Sequence, residues 1–281
     1  TGITISPHVD EINERLQING VPLDEKTFCA AMTEFARLLK DSPVKTSWFE
    51  TMMAFAYWYF AQTNVEYAVI EVGLGGLKDA TNVIERQDKV GIITDIGLDH
   101  TAILGASLAE IAKQKIGIVH PGNTVFTYSQ SPEIIKAYYH YCNQQGATLR
   151  IVDEVESNEQ GIAEYQQRNF HLAYQMYRYL ARTDNLKFFT REEQVQISKV
   201  HIPGRMDVSK IGQKTIIMDG AHNYQKMSTF ISSFKSLYPN TRPVVLLAFK
   251  EGREYQELLP MLKDLTDHII ATEFSAKQDI P

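Results

Sequence analysis

The sequence predicts an α/β protein of two domains with parallel sheets. Three observations carry that expectation. Short apolar runs alternate with segments of helical periodicity along most of the chain. Its 281 residues exceed the usual size of one domain. Pro203-Gly204 then breaks the pattern, because these residues interrupt both helix and strand. The predicted domains are 1–202, a central domain, and 203–281, a smaller one.

Residues 26–40 and 47–62 carry apolar side chains at helical spacing. The second contains the longest apolar stretch, 52–61 with Tyr57, Trp58 and Tyr59. It falls well short of the ~20 apolar residues that cross a bilayer, so a buried helix is expected and a membrane partner is not. Residues 66–72 read as a buried strand ending in glycines, and 90–96 as a second strand ending at Gly97. Strong helix formers over 109–116 predict a helix. Strand, helix and strand follow over 123–127, 132–145 and 148–152. An acidic, polar loop over 153–160 precedes a helix over 166–182. Past the boundary, strands at 215–218, 244–249 and 268–272 alternate with helices at 224–237 and 255–265, a thin three-stranded α/β domain.

Lys and Arg total 28 against 34 Asp and Glu, a net charge of -6, which argues against a general basic surface for nucleic acid. Two cysteines, Cys29 and Cys142, are too few for a disulfide framework and lack metal-ligand spacing, so a reducing, cytoplasmic compartment is expected. The chain opens on Thr1-Gly2-Ile3 with no initiator Met or signal-peptide core, and reads as starting inside a folded domain.

The chemistry gathers at predicted strand ends, where open α/β sheets bind ligands. Glu71 is followed by Val72-Gly73-Leu74-Gly75-Gly76, whose glycines would let a ligand approach the backbone; a capped turn is the alternative. The spacing is not a dinucleotide fingerprint. Asp99 and His100 occupy the equivalent place after the second strand. A carboxylate and an imidazole there suit a divalent cation beside phosphate oxygens, unless Asp99 caps the next helix. Leu104, Leu108, Ile111 and Lys115 fall at spacings of four, three and four, which places Lys115 on the apolar stripe of the helix after His100. Burial favours the neutral amine, which can attack carbon dioxide and become an anionic carbamate; the alternative is a lysine that snorkels or complements the helix C-terminus. Asp219, His222 and Asn223 follow the strand ending at Met218, and Arg205 could reach a phosphate, unless these residues only build turns.

Taken together, these segments resemble folylpolyglutamate synthase, a Mur-ligase-like family that includes bifunctional dihydrofolate synthases. The matching motifs are Ser6-Pro7-His8, Asn13-Glu14-Arg15, Glu71-Val72-Gly73-Leu74-Gly75-Gly76 with Asp79-Ala80-Thr81-Asn82-Val83-Ile84, Leu98-Asp99-His100, Lys113-Gln114-Lys115-Ile116-Gly117-Ile118, Pro203-Gly204-Arg205 and Asp219-Gly220-Ala221-His222-Asn223. Each is weak alone, but their order and spacing span most of the chain.

The resemblance implies a P-loop-type central domain, a Rossmann-like C-terminal domain, and ATP-dependent addition of L-glutamate to a reduced folate through an acyl phosphate. It implies that Ser6 and Glu71 ligate one Mg²⁺ and that Glu71, His100 and a carbamylated Lys115 organise a second. It also implies that Asn169 contacts adenine and that Arg205, Asp219 and His222 contact the nucleotide. A monomer is expected. The family's Gly-rich phosphate loop, ending in Gly-Lys-Ser or Gly-Lys-Thr, has no counterpart here. In the family it lies upstream of Ser-Pro-His, so the sequence reads as incomplete at both ends. Three alternatives stay open: a bifunctional dihydrofolate synthase, an inactive folate- or metal-binding truncation, and another amide ligase such as one acting on cell-wall precursors. The last is disfavoured by Asp79-Ala80-Thr81-Asn82.

Overall fold

The computed structural model describes residues 1–40, 42–153, 161–200, 202–249 and 256–273. Most of the loop predicted over 153–160, together with His201 and Tyr255, lies outside them. The chain forms two compact units, Thr1–Ile96 with His100–Arg150 and Gly97–Asp99 with Ile151–Pro281.

In the first unit β1 (Gly2–Thr4) leads through a 3-10 turn, Ile12–Arg15, into β2 (Leu16–Ile18) and β3 (Val21–Pro22). Helices α1 (Glu25–Leu39) and α2 (Trp48–Gln62) follow, then β4 (Ala68–Ile70). Asp24 caps α1, and Ser47 with Glu50 forms a capping box on α2, so both helices begin where their orphan N–H groups find side-chain acceptors. Their apolar faces meet through Phe28, Phe35, Met53, Phe55 and Phe60, with the Phe28 and Phe55 rings edge to face at 5.4 Å. Full burial of each such side chain is worth roughly 1.5–3 kcal/mol. Strand order is β3-β2-β1-β4, with β1 antiparallel to β2 and parallel to β4. This mixed sheet differs from the expected parallel one, because strands of two or three residues are too short to show a period. The strand expected to be buried before Glu71 is instead open. Val69 is 53% exposed, since β4 has a hydrogen-bonded neighbour on one side only among the described residues.

β5 (Val90–Ile93), α3 (Thr101–Leu104), α4 (Leu108–Ile116), β6 (Thr124–Tyr128), α5 (Pro132–Gln145) and β7 (Thr148–Val152) complete the strand-helix alternation. Their sheet has the order β5-β6-β7, with β5 parallel to β6. Ile93, Ile111, Ile116, Val125 and Tyr138 fill the core between sheet and helices. The stripe read as one helix from Leu104 to Lys115 is broken. Gly105 at φ 124 ends α3, and a Ser107–Glu110 capping box starts α4.

The second unit holds α6 (Glu164–Thr183), α7 (Arg191–Ser198), the antiparallel hairpin β8 (Asp207–Ile211) and β9 (Lys214–Met218), α8 (Tyr224–Leu237), β10 (Val244–Leu247), α9 (Leu258–Leu262) and β11 (His268–Ala271). β10 and β11 pair in parallel. The three strands expected to share one sheet are divided, because β9 turns back at Gly212 to pair with β8, a strand the sequence reading did not predict. Among the described residues no helix is long and apolar enough to cross a membrane.

Candidate active site

β1 and β4 run side by side with Thr4 opposite Ile70, so the residues just beyond them leave the sheet at the same edge. The N–H of Glu71 donates to the carbonyl of Thr4 at 3.1 Å, and that of Ser6 donates to Oε2 of Glu71 at 2.6 Å. The loop after Ser6 is closed by Glu14, whose carboxylate accepts the N–H groups of Val9, Asp10 and Glu11 at 2.8, 2.9 and 2.8 Å. These bonds, that from Val9 foremost, hold its pKa below the usual carboxylate value.

Arg15 ends the same loop at 7% exposure. Its Nε donates to His8 Nδ1 at 2.8 Å, and the guanidinium lies 4.6 Å from the centre of the Trp48 ring. Burial pulls its pKa down, and the charge of Glu71 opposes that shift. Nη1 is buried without a hydrogen-bond partner among the described residues. Arg15 borders a cavity of about 310 Å³ with Ser6, Trp48, Phe49, Leu74 and Asp79. The sequence singled out this arginine only as part of a motif, because nothing local signals that its side chain turns inward.

The glycines after Glu71 are explained by packing. A Cβ at Gly73 would lie 2.4 Å from the Phe49 ring, and one at Gly75 2.7 Å from Leu104. A Cβ at Gly76 would lie 2.8 Å from Ile118 and 2.9 Å from the Gln114 carbonyl. These glycines admit the close approach of Phe49 on α2, of α3 and of α4. The loop presses on α3 and α4, and Leu77 N–H donates to the Gln114 carbonyl at 2.8 Å. Asp79 folds it back, accepting from Leu74 N–H at 2.7 Å and from Thr81 N–H and Oγ1 at 3.0 and 2.6 Å.

His100 is the exposed N-cap of α3, in the left-handed region at φ 51, and makes no capping bond through its side chain. Lys115 sits half-buried in the last turn of α4, which the stripe alone left open between a buried amine and a lysine that complements the helix C-terminus. The N-cap position of α3 is His100, not Asp99. In the second unit Asp99 Oδ2 accepts from Asn223 Nδ2 at 3.0 Å and Lys226 Nζ at 3.1 Å.

Among the described residues no three His, Cys, Asp or Glu side chains converge as a metal site. The expected set of Ser6, Glu71, His100 and Lys115 contains only two of those types. Its carboxylate, imidazole and hydroxyl, with an added carbamate, form an oxygen-rich donor set that fits Mg²⁺. The glycine loop supports that fit, since it carries Glu71 at one end and touches the helices bearing His100 and Lys115.

In the second unit, Asp219 follows β9 and accepts from the N–H groups of Met206 and Ala221, both at 2.9 Å, and from Tyr165 OH at 3.3 Å. Burial and this carboxylate push the Tyr165 hydroxyl well above its ordinary pKa. His222 Nδ1 faces the Gly220 carbonyl at 2.8 Å and must donate to it. Nε2 is then left to accept from Lys226 at 3.2 Å. Arg205 is exposed, with Nη1 donating to the Gly204 carbonyl at 3.1 Å. Gln166 Nε2 ties α6 to the Arg205 carbonyl at 2.9 Å, and exposed Asn169 lies about one helical turn further on. Arg205, Asp219 and His222 thus share one strand end, with Asp219 already committed to three donors.

A family model described as the dihydrofolate synthetase C-terminal domain matches residues 205–281. Dihydrofolate synthetase of Saccharomyces cerevisiae is 30% identical over 98% of this chain and 70% of its own length. Folylpolyglutamate synthase of Lacticaseibacillus casei is 30% identical over 88% of this chain and 64% of its own length. Among solved structures, the apo form of the L. casei enzyme superposes with a TM-score of 0.83 at 26% identity, covering 98% of this chain and 73% of that one. A structure titled as the complex of such a synthase with AMPPCP and folate reaches 0.85 at the same identity and coverage.

Proposed function

The chain belongs to the folylpolyglutamate synthase/dihydrofolate synthase family of Mur-ligase-like, ATP-dependent ligases, and from that membership we propose that it joins L-glutamate to a reduced folate. The observation that carries this reading is the 30% identity to the yeast enzyme over 98% of the chain. A folate carboxylate oxygen attacks the γ-phosphorus of ATP, and ADP leaves. The glutamate amine, having lost a proton, then attacks the acyl carbon and inorganic phosphate departs. Phosphoryl transfer of this kind needs charge neutralisation and alignment more than covalent help.

Ser6, Glu71, His100 and a carbamylated Lys115 are assigned to hold Mg²⁺, which supplies charge neutralisation beside the phosphates. Ser6 N–H fixes the Glu71 carboxylate that this role requires. Catalytic importance is assigned to Glu71, His100 and Lys115. Asn169, Arg205, Asp219 and His222 are assigned to the nucleotide. Asp219 holds the chain around Met206 and Ala221, and His222 offers an imidazole fixed by Gly220. The cavity beside Arg15 is assigned to the folate, because the aromatic rings of Trp48 and Phe49 and a guanidinium beside them suit a flat, carbonyl-bearing ring. Domain limits of 1–202 and 203–281 are proposed from the family match beginning at residue 205, whereas the compact units divide the chain near residue 151 and place α6 and α7 with the second. A cytoplasmic monomer is the assigned state.

A second reading, that dihydropteroate is also an acceptor, is favoured by the dihydrofolate synthetase description of the matching family model. The test is ADP release by the full-length protein with ATP, Mg²⁺, L-glutamate and either tetrahydrofolate or dihydropteroate, with product mass recorded. Glutamylated tetrahydrofolate is expected, and ADP release indifferent to both acceptors would overturn the assignment. Lys115→Ala is expected to lose about 10²-fold or more in kcat while remaining folded; near-normal turnover would exclude an essential carbamate.

A further inference from the structure

Asn82 lies just beyond the glycine loop, where its side chain joins three segments distant in sequence. Nδ2 donates to the carbonyls of Leu77 at 3.3 Å and Gly117 at 3.0 Å. Both amide protons are then used, which leaves Oδ1 to accept from His120 Nε2 at 2.9 Å. Leu77 belongs to the loop that starts at Glu71. Gly117 is the C-cap of α4, two residues past Lys115, and its N–H donates to the Lys115 carbonyl. Gly76 packs against the carbonyls of Gln114 and Lys115, so the loop admits no larger side chain there.

We infer that Asn82 is a positioning residue, locking the end of the helix that bears Lys115 to the loop that bears Glu71 so that the two groups keep a fixed separation. Loop and helix end meet through the Leu77 N–H to Gln114 carbonyl bond and the Gly76 packing, and Asn82 adds a side-chain clamp that spans both. A carboxylate and a lysine that must share a cation tolerate little drift, and groups that orient ligands typically cost 10–100-fold when removed. The inference rests on the roles proposed for Glu71 and Lys115.

Asn82→Ala and Asn82→Asp in the full-length protein test it. Aspartate can still accept from His120 but cannot donate to the two carbonyls, so both variants are expected to behave alike. Each should raise the half-saturating Mg²⁺ concentration at least about fivefold and lower kcat about tenfold, leaving KM for folate within about twofold. Amide exchange at Leu77 and Ile118 should quicken by about tenfold with α1 unchanged. A fall in melting temperature with Mg²⁺ dependence and kcat per folded molecule unchanged would mean a structural role alone and overturn the inference. Should neither variant fold, His120→Ala, which removes the bond that orients the Asn82 amide toward the two carbonyls, is expected to shift Mg²⁺ dependence in the same direction by about threefold, and no shift overturns it. Lys115→Ala separates the two levels. Full activity there removes the proposed mechanism, whereas its loss beside wild-type behaviour of the Asn82 variants removes this inference alone.

Discussion

The N–H of Ser6 donates to Oε2 of Glu71 at 2.6 Å across 65 residues of chain, joining the ends of two parallel strands. The bond orients the carboxylate of Glu71, whose charge opposes the downward pull of burial on Arg15. Glu71→Gln keeps the shape and removes the charge. It is expected to lower kcat by about 10²-fold or more with little loss of melting temperature, measured as folate-dependent ADP release.

Arg15 spends Nε on His8, stacks on Trp48 and lines the cavity beside Ser6 and Asp79. Lysine cannot reproduce a planar fork that serves two directions. Arg15→Lys should raise KM for the folate substrate about tenfold, a loss of about 1.4 kcal/mol, with kcat changed less. An unchanged KM would place the folate elsewhere.

Gly76 has φ 151, and a Cβ there would meet Ile118 and the Gln114 carbonyl, whereas Gly20 at φ 79 has nothing within 4 Å. Gly76→Ala combines backbone strain with overpacking and is expected to cost at least about 2 kcal/mol in urea unfolding. Gly20→Ala carries the strain alone and should cost about 1 kcal/mol. Equal costs would mean that the α4 contact contributes nothing.

His120 has its pKa lowered from 6.5, first by burial and then by Lys89, with Glu85 acting in the opposite direction. The unfolded chain therefore binds this proton before the folded one does. The contribution is present above 6.5 and is lost as pH falls from there through the folded value. His120→Gln should flatten the stability curve across that acid window. A curve of unchanged slope would mean that His120 titrates alike in both states.

The long helices were legible because they carry apolar residues at helical spacing, and α1, α2 and α8 also begin on a side-chain cap. The predicted limits of 132–145 and 224–237 coincide with α5 and α8. Proline at the start of α5 and glycine in the left-handed region after it mark both ends in the sequence itself. The strands β1, β2 and β3 were not legible, since two or three residues show no period and are strands only through their pairing. Lys115 was placed on a stripe that continued from Leu104, because periodicity counted across Gly105 as if the chain had not turned there.

Chemistry at strand ends was likewise open to reading, for Glu71, His100, Asp219 and His222 follow short apolar runs in a local pattern. That pattern states which residue types stand near a sheet edge. It does not state their partners. Asn82 meets Gly117 across 35 residues and His120 across 38, and Arg15 turns inward only because Trp48 and Glu71 arrive from later in the chain. Periodicity and capping depend on neighbours a few positions away and so are written in the sequence. The burial of Arg15, the demand for glycine at position 76 and the clamp at Asn82 depend on contacts between distant segments, which exist only once the chain has packed.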